Sequence, residues 1–374
     1  MIVLPLFLAL LCSVAESRVT FSTSEVLDDV DLKGPSGTTA TFKCTGGCRV
    51  YSPTRNANLI VQDSAGKKFR SLMDLADLQP GTPYDLEANT NAYTLKNAGP
   101  ADPSFVFYVV QKGAANYDTK VLYVSSDPAS KRNVKAETGS TLTVMSATGA
   151  IRFSSFTGDF SDALPAVYTV PADSISSASC RPVYEAISTA SIAKTSFPVY
   201  SPIATINFKK AGGGKSVVIS GEYGIQTSTG QDASALYSSP GYVGCTNVGD
   251  SLYTFLSPIT SFDSYSKVTD SNGLSVVVNG DYNIEKEADG IQLTINDDKK
   301  TLYGNKPYYV TQTATSFAVS LKWEKRAGSK DRFAMQIDVM SGSANRVSTT
   351  TKSGSLLTIG SSLFMILSAA VFRL

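Results

Sequence analysis

Between positions 317 and 323 apolar and polar residues alternate strictly: Phe317, Val319, Leu321 and Trp323 fall on one side of an extended backbone, and Ala318, Ser320 and Lys322 on the other. Successive side chains of a strand point to opposite faces, so the pattern predicts a half-buried β-strand. The same reading holds for Phe333, Met335, Ile337 and Val339 against Gln336 and Asp338, and for Ile291, Leu293 and Ile295 against Gln292, Thr294 and Asn296. Further strands are expected at 39–43, 58–62, 105–110, 120–124, 141–145, 203–208, 217–220 and 274–278, which are rich in β-branched and aromatic residues that pack on a pleated surface. Asn272-Gly273 and Asn279-Gly280 flank the last of these and predict hairpin turns, because both residue types tolerate left-handed backbone angles. Helical periodicity is confined to 181–194, where the Ile and Thr content weakens it. Short strands, frequent turns and little helix predict an all-β chain of two antiparallel β-sandwich domains, at 18–150 and 151–340.

The two ends break the pattern. Residues 1–15 are apolar but fewer than the roughly 20 that span a bilayer. Ala15-Glu16-Ser17 follows with small residues at the positions a signal peptidase reads, which predicts a secretory signal peptide at 1–17. At the other end stand the small residues Ser341-Gly342-Ser343-Ala344-Asn345, then a polar spacer at 346–355, then an apolar stretch at 356–374. This is the order of a glycolipid (GPI) anchor signal, with Ser343 or Gly342 as the residue that receives the lipid and 341–355 as a Ser/Thr-rich stalk and attachment region. A transmembrane helix is the rival. Thr358, Gly360, Ser361 and Ser362 interrupt it, and only Arg373-Leu374 follows, so no basic cluster holds its end.

Charge and composition narrow what lies between. Lys plus Arg (33) nearly equals Asp plus Glu (32), and only 17% of residues are charged, so the chain carries no electrostatic footprint for nucleic acid. It contains no histidine. Ser-His-Asp and Cys-His catalysis and His-containing zinc sites are therefore excluded, and a carboxylate pair is the hydrolytic chemistry that survives. Of five cysteines Cys12 lies in the signal peptide, leaving Cys44, Cys48, Cys180 and Cys245, an even count that in an exported chain predicts two disulfides. Three pairings are possible, and spacing favours Cys44 with Cys48 and Cys180 with Cys245. Four extended residue steps would hold Cys44 and Cys48 some 13 Å apart, so that loop has to turn sharply, and Thr45-Gly46-Gly47 can do so. A redox role fits poorly, since the spacing is one residue longer than the thioredoxin type and no βαβ pattern surrounds it.

Other candidate chemistry is sparse. Residues 209–216, with Gly212-Gly213-Gly214-Lys215-Ser216, look like a phosphate-binding loop, but Lys209 stands where its first glycine belongs and a strand-like Val217-Val218-Ile219 follows, so a glycine-rich hairpin loop is expected. Asp28, Asp29 and Asp31, and Asp297 and Asp298, could hold calcium, but neither cluster has the spacing of a calcium-binding loop. No cofactor, metal site or catalytic residue is assigned. Tyr84, Tyr93, Tyr108 and Tyr123 could line a binding face, although cross-strand core pairs are the plainer use. No Asn-x-Ser/Thr sequon occurs, which leaves O-linked sugars as the glycan route.

The segment Ser238-Ser239-Pro240-Gly241-Tyr242-Val243-Gly244-Cys245, followed by Tyr253-Thr254-Phe255-Leu256-Ser257-Pro258, resembles the CUB-like domain family of nematode exported proteins, with an echo at 44–53. The resemblance implies a jelly-roll-like β-sandwich, secreted or GPI-anchored at the extracellular face of the plasma membrane in raft-like lipid patches, in a family associated with intestinal defence and stress responses. Vertebrate-type CUB domains carry two disulfides per domain and often an acidic calcium site, whereas here each domain has one bridge and no matching triad. The expected function is non-enzymatic binding of an extracellular protein, glycan or microbial surface ligand. The alternatives are a carboxylate-dependent hydrolase of surface polysaccharide and a structural or adhesive coat component.

Overall fold

A computed structural model of the chain describes residues 24–28, 37 and 39–342, apart from 54–58, 64–67, 72–82, 100–105, 112–119, 137–140, 176–179, 225, 227–228, 246–259 and 326–330. The expected signal peptide at 1–17, Ser343 and everything after it lie outside the described residues. The fold is all-β, with five sheets and, among the described residues, one short α-helix, α1 (Thr189–Ala193), in the region where helical pattern was expected.

Three groups of strands follow one another along the chain. The first comprises β1 (Ser24–Asp28), β2 (Thr39–Cys44), β3 (Cys48–Tyr51), β4 (Leu59–Gln62), β5 (Lys68–Ser71), β6 (Tyr84–Leu86), β7 (Asn89–Asn97) and β8 (Val106–Gln111). They form two antiparallel sheets, β1-β8-β3-β6 and β2-β7-β4-β5, which share a core containing Phe42, Val50, Val61, Tyr93, Leu95 and Phe107. Cys44 ends a strand of one sheet and Cys48 begins a strand of the other. Their disulfide, with Gly47 at φ 83°, therefore closes the turn by which the chain crosses between layers.

The second group comprises β9 (Lys120–Val124), β10 (Arg132–Lys135), β11 (Thr141–Ser146), β12 (Ile151–Thr157), β13 (Ala166–Tyr168), β14 (Tyr184–Glu185), β15 (Phe197–Val199), β16 (Ile203–Asn207) and β17 (Ser216–Ser220). Its sheets, β14-β13-β16-β11-β9 and β10-β17-β12-β15, enclose Val144, Phe153, Phe197, Ile206 and Ile219. Val144 lies on β11 and Phe153 on β12, in the same core. Position 150 is thus a turn between two layers of one sandwich, and a domain boundary there would divide that core. The changes from one group of strands to the next fall between Gln111 and Lys120 and between Ser220 and Ala233.

The third group is a single sheet of β18 (Ala233–Ser238), β19 (Ser261–Ile284), β20 (Ile291–Ile295), β21 (Asp298–Leu302), β22 (Gly304–Glu324) and β23 (Arg332–Ser341), in the order β18-β23-β19-β22-β20-β21. Two strands of 24 and 21 residues, β19 and β22, run through both halves of it. The first half of β19 lies beside the second half of β22, which in turn pairs β20; the second half of β19 lies between β23 and the first half of β22. One sheet thus folds over its own core of Phe262, Val276, Leu293, Leu321, Trp323 and Phe333, as happens where strands pass from layer to layer through a bulge. The bulge falls between Thr269 and Leu274, with Gly273 at φ 93°. Neither Asn-Gly pair forms the expected hairpin. Asn272-Gly273 makes this bend inside β19, and Gly280 sits mid-strand, where a Cβ would lie 2.5 Å from the Ala334 carbonyl of β23.

Between the first two groups, outward side chains of β3 and β8 (Tyr51, Tyr108, Val110) meet those of β11 and β16 (Met145, Ile203) around Cys180 and Cys245. The sheets on either side of this seam are therefore buried on both faces. β23 has the same property: Phe333, Met335, Ile337 and Val339 enter the third core as the alternation predicts, but Ala334, Gln336, Asp338 and Met340 on the opposite face are buried too.

Candidate functional site

Two of the buried ionisable side chains, Asp173 and Asp338, lie at the seams between strand groups. At the first seam Arg49 of β3 grips Asp85 of β6 through two hydrogen bonds, Nε to Oδ1 at 2.9 Å and Nη2 to Oδ2 at 3.3 Å. These bonds hold the guanidinium above its ordinary pKa. Two positions on, the Tyr51 hydroxyl donates to Asp173 Oδ2 at 2.7 Å. Burial pushes the Asp173 carboxyl above the usual carboxylate range, while the Tyr51 bond and the Arg49 charge pull the other way. Thr143 and Thr205 hydroxyls lie 3.0 Å apart nearby and continue the polar contacts to the Ala172 amide and the Val170 carbonyl. Asp85 and Asp173 are two carboxylates in unlike settings, the arrangement that acid-base chemistry exploits. Here one is committed to an arginine and the other to a tyrosine, which ties the first strand group to the second.

The second seam centres on Asp338, which is fully buried. Its carboxylate accepts from the Ser234 hydroxyl of β18 and from Gln336 Nε2, at 3.0 and 2.9 Å to its two oxygens. Gln336 also brackets the backbone of Glu185, accepting from its amide at 2.9 Å and donating to its carbonyl at 2.8 Å. The Ser234 backbone amide donates to Thr195 Oγ1 at 3.2 Å. Burial raises Asp338 to about 7 against the pull of its hydrogen-bond donors, and burial likewise raises Tyr184 beside it. The alternation in β23 placed Gln336 and Asp338 on a solvent face. They are covered because the second sandwich lies against that face, a contact no local pattern encodes.

The loop at 209–216 joins β16 to β17, but it is not the expected hairpin: the two strands belong to different sheets, and the glycine-rich loop carries the chain from one layer of the second sandwich to the other. Gly212, Gly213 and Gly214 all have positive φ, and the loop is strapped to its neighbour where the Asp159 amide donates to Gly213 O at 2.9 Å. Gly158 admits this approach, since a Cβ there would lie 2.6 Å from the Gly214 carbonyl carbon. Lys215 points inward, fully covered, with its Nζ bonded to Asp162 and to the Lys210 carbonyl and lying 5.9 Å from the Phe160 ring centroid. The lysine that would meet a phosphate is thus occupied inside the loop pair.

Both disulfides join the pairs favoured by spacing, Cys44 with Cys48 and Cys180 with Cys245. Gly342 ends the described chain at φ 70°, its amide donating to Gly273 O at 2.7 Å, and Ser341 before it is held by Asp232 through its amide and its hydroxyl at 2.7 and 3.0 Å. Of the acidic candidates, Asp29 and Asp31 lie outside the described residues and Asp28 ends β1. Asp297 lies in the β20–β21 turn and Asp298 opens β21, where it pairs with Lys300 at 3.1 Å. Among the described residues no three Cys, Asp or Glu side chains converge as a metal would require. Tyr93 and Tyr108 are core residues, and Tyr84 and Tyr123 pack half-buried against the cores, so these four make no binding face. The exposed large apolar side chains among the described residues are other tyrosines: Tyr223, Tyr265, Tyr303 and Tyr309. The last three belong to the third strand group, with Tyr265 57% and Tyr309 64% exposed on outward faces of β19 and β22. Period-2 counting could have found both, since each opposes the parity of the core residues on its half-strand.

No protein-family model matches the chain, and no curated protein does. Solved structures give faint likenesses. The CUB1-EGF-CUB2 segment of human MASP-1/3 is 9% identical, with 85% of this chain and 99% of that one covered at a TM-score of 0.22. A conserved protein of unknown function from Pseudomonas aeruginosa is 5% identical, with 84% and 80% covered at a TM-score of 0.15. Likenesses this faint carry no argument about the site. No helix among the described residues is long and apolar enough to cross a membrane.

Proposed function

We propose that this is a non-enzymatic, GPI-anchored binding protein of the extracellular face of the plasma membrane. In this reading it recognises an extracellular protein, glycan or microbial surface ligand and serves host defence or stress response at an epithelial surface, as in the nematode CUB-like family it resembles. The observation that carries the reading is the exposed tyrosine set on the third strand group. Tyrosine supplies wide contact area and a hydroxyl at small entropic cost, which makes it a favoured contact residue at binding surfaces. Its support is the contrast with the interior, where the buried Asp173, Lys215 and Asp338 are committed to partners within the fold.

Two measurements test it. Phosphatidylinositol-specific phospholipase C applied to cells expressing the full chain should release it to the medium; retention on the membrane would leave the transmembrane reading of 356–374. A screen of the displayed protein against glycans and microbial surfaces should then find a ligand whose affinity drops roughly tenfold with Tyr309→Ala or Tyr265→Ala, the usual scale for losing one aromatic contact. Binding that is absent throughout, or untouched by both substitutions, would defeat the tyrosine-face reading.

A further inference from the structure

The outward edge of β22 offers more than the tyrosine on its face. Over 304–314 this strand pairs with β19 on one side, from Leu274↔Ala314 to Ile284↔Gly304, whereas β20 joins its other side only at 319–322. Among the described residues no strand pairs with that second side of 304–314, and Tyr309 and Thr313 stand exposed there. An open row of N–H and C=O groups is a template for another strand, and proteins blunt such edges with charge, proline or a cover. Several other outer strands here follow that rule. β21 carries Asp298, Lys299 and Lys300, β10 carries Arg132 and Lys135, and β18 is buried with α1 and β15 against it. By contrast, the chain from Pro307 to Leu321 contains no charged residue. Its inward side chains at this edge, Tyr308, Val310 and Ala314, are only partly buried at the margin of the third core.

We propose that this edge is a homotypic interface, in which two copies of the chain pair antiparallel through 308–314 about a twofold axis at Thr311. A neutral edge offers a charged peptide nothing to match. Against itself, this register sets Tyr308 opposite Ala314, Tyr309 opposite Thr313 and Val310 opposite Gln312, and it sets Lys306 opposite Ser316 instead of another cation. Unlike sizes meet and like charges do not, the conditions for a self-complementary pair. The half-covered Tyr308 and Val310 of each copy then gain a neighbour, and the two third cores join across the axis.

Thr311 tests this in both directions, because its side chain points away from the core and would meet its own copy on the axis. Directly opposed residues of antiparallel strands lie about 4.5 to 5.5 Å apart, within disulfide reach. The full chain, expressed on cells and solubilised in detergent, should give a linked dimer on a non-reducing gel with Thr311→Cys and none with Lys299→Cys on the β21 edge. In sedimentation the wild-type chain should be dimeric, Thr311→Lys and Thr311→Asp each at least roughly tenfold weaker in association, and their mixture dimeric again, since opposite charges then face each other. Unchanged thermal unfolding of the two charged variants separates this from misfolding. A Thr311→Cys chain that stays unlinked, a monomeric wild type, or a dimer indifferent to both charges would overturn the proposal.

Discussion

Serine at both Cys180 and Cys245 lowers the unfolding free energy by about 4 kcal/mol, the chain-entropy value for releasing a 65-residue loop. The bridge joins the β13–β14 connection to the segment after β18, and the adjoining backbone repeats the link, with the Arg181 amide donating to Gly244 O at 2.6 Å. Its neighbours are Tyr51, Tyr108, Met145 and Ile203 from both sides of the first seam. Losing it frees a loop in the unfolded chain and loosens a packed interface in the folded one. The same exchange at Cys44 and Cys48 removes only about 2 kcal/mol, because a loop of four residues has little freedom to regain. Urea unfolding of the two double variants under one oxidising buffer measures both. An equal or reversed pair of losses would contradict the ordering.

Asp338→Asn changes how stability depends on pH. The folded pKa of Asp338 is raised, to about 7 from an ordinary 3.8, so between those values the folded chain holds a proton that the unfolded chain has released. The protonated group therefore favours the fold fully below about pH 4, and that contribution is lost as pH rises to about 7 and stays lost above it. Asparagine carries no such titration. Measured as the difference between wild type and Asp338→Asn, stability should fall through this window by an amount on the order of 4 kcal/mol and be flat from pH 7 to 9. The groups facing the carboxyl, Ser234 of β18, Gln336 of β23 and Tyr184 of β14, do not ionise in that range, while the nearby Lys194 and Lys209 are engaged by Asp232 and Glu185. Subtraction also removes the opposite trend of Asp232, whose carboxyl is lowered, with the Ser341 bonds leading the causes that favour its charged form. A difference that is constant from pH 4 to 8 would show that Asp338 is not protonated in the fold.

Much of the secondary structure was legible because most strands have one wet face. β20 and the second half of β22 alternate as their sequences do, and β2, β4, β8, β9, β11, β16 and β17 lie within a residue or so of the expected spans. β18 was not legible: in Ala233–Ser238 the residues on both faces are largely buried, so no polar alternation marks it. The long strand β19 was read as a shorter piece, since Asn-Gly pairs serve equally for a hairpin and for a bend within a strand, and β22 was read only over 317–323, where its alternation is strict. Of the candidate site, Tyr265 and Tyr309 sit at readable parity, but parity alone does not decide exposure, since Tyr108 opposes Phe107 and Val109 of the first core and is still buried at the seam.

The alternation of apolar and polar residues, with the absence of histidine and the spacing of four cysteines, was sufficient by itself for an all-β fold braced by two bridges, without imidazole chemistry. Each of those conclusions depends on residues close in sequence or on simple presence. Tertiary structure alone decided that position 150 lies inside a sandwich, that Asp338 and Gln336 are buried, and that no strand among the described residues pairs with one side of β22 at 304–314. These are properties of which sheet lies against which, and sheet packing depends on surfaces assembled from residues a hundred or more positions apart, which no local period records.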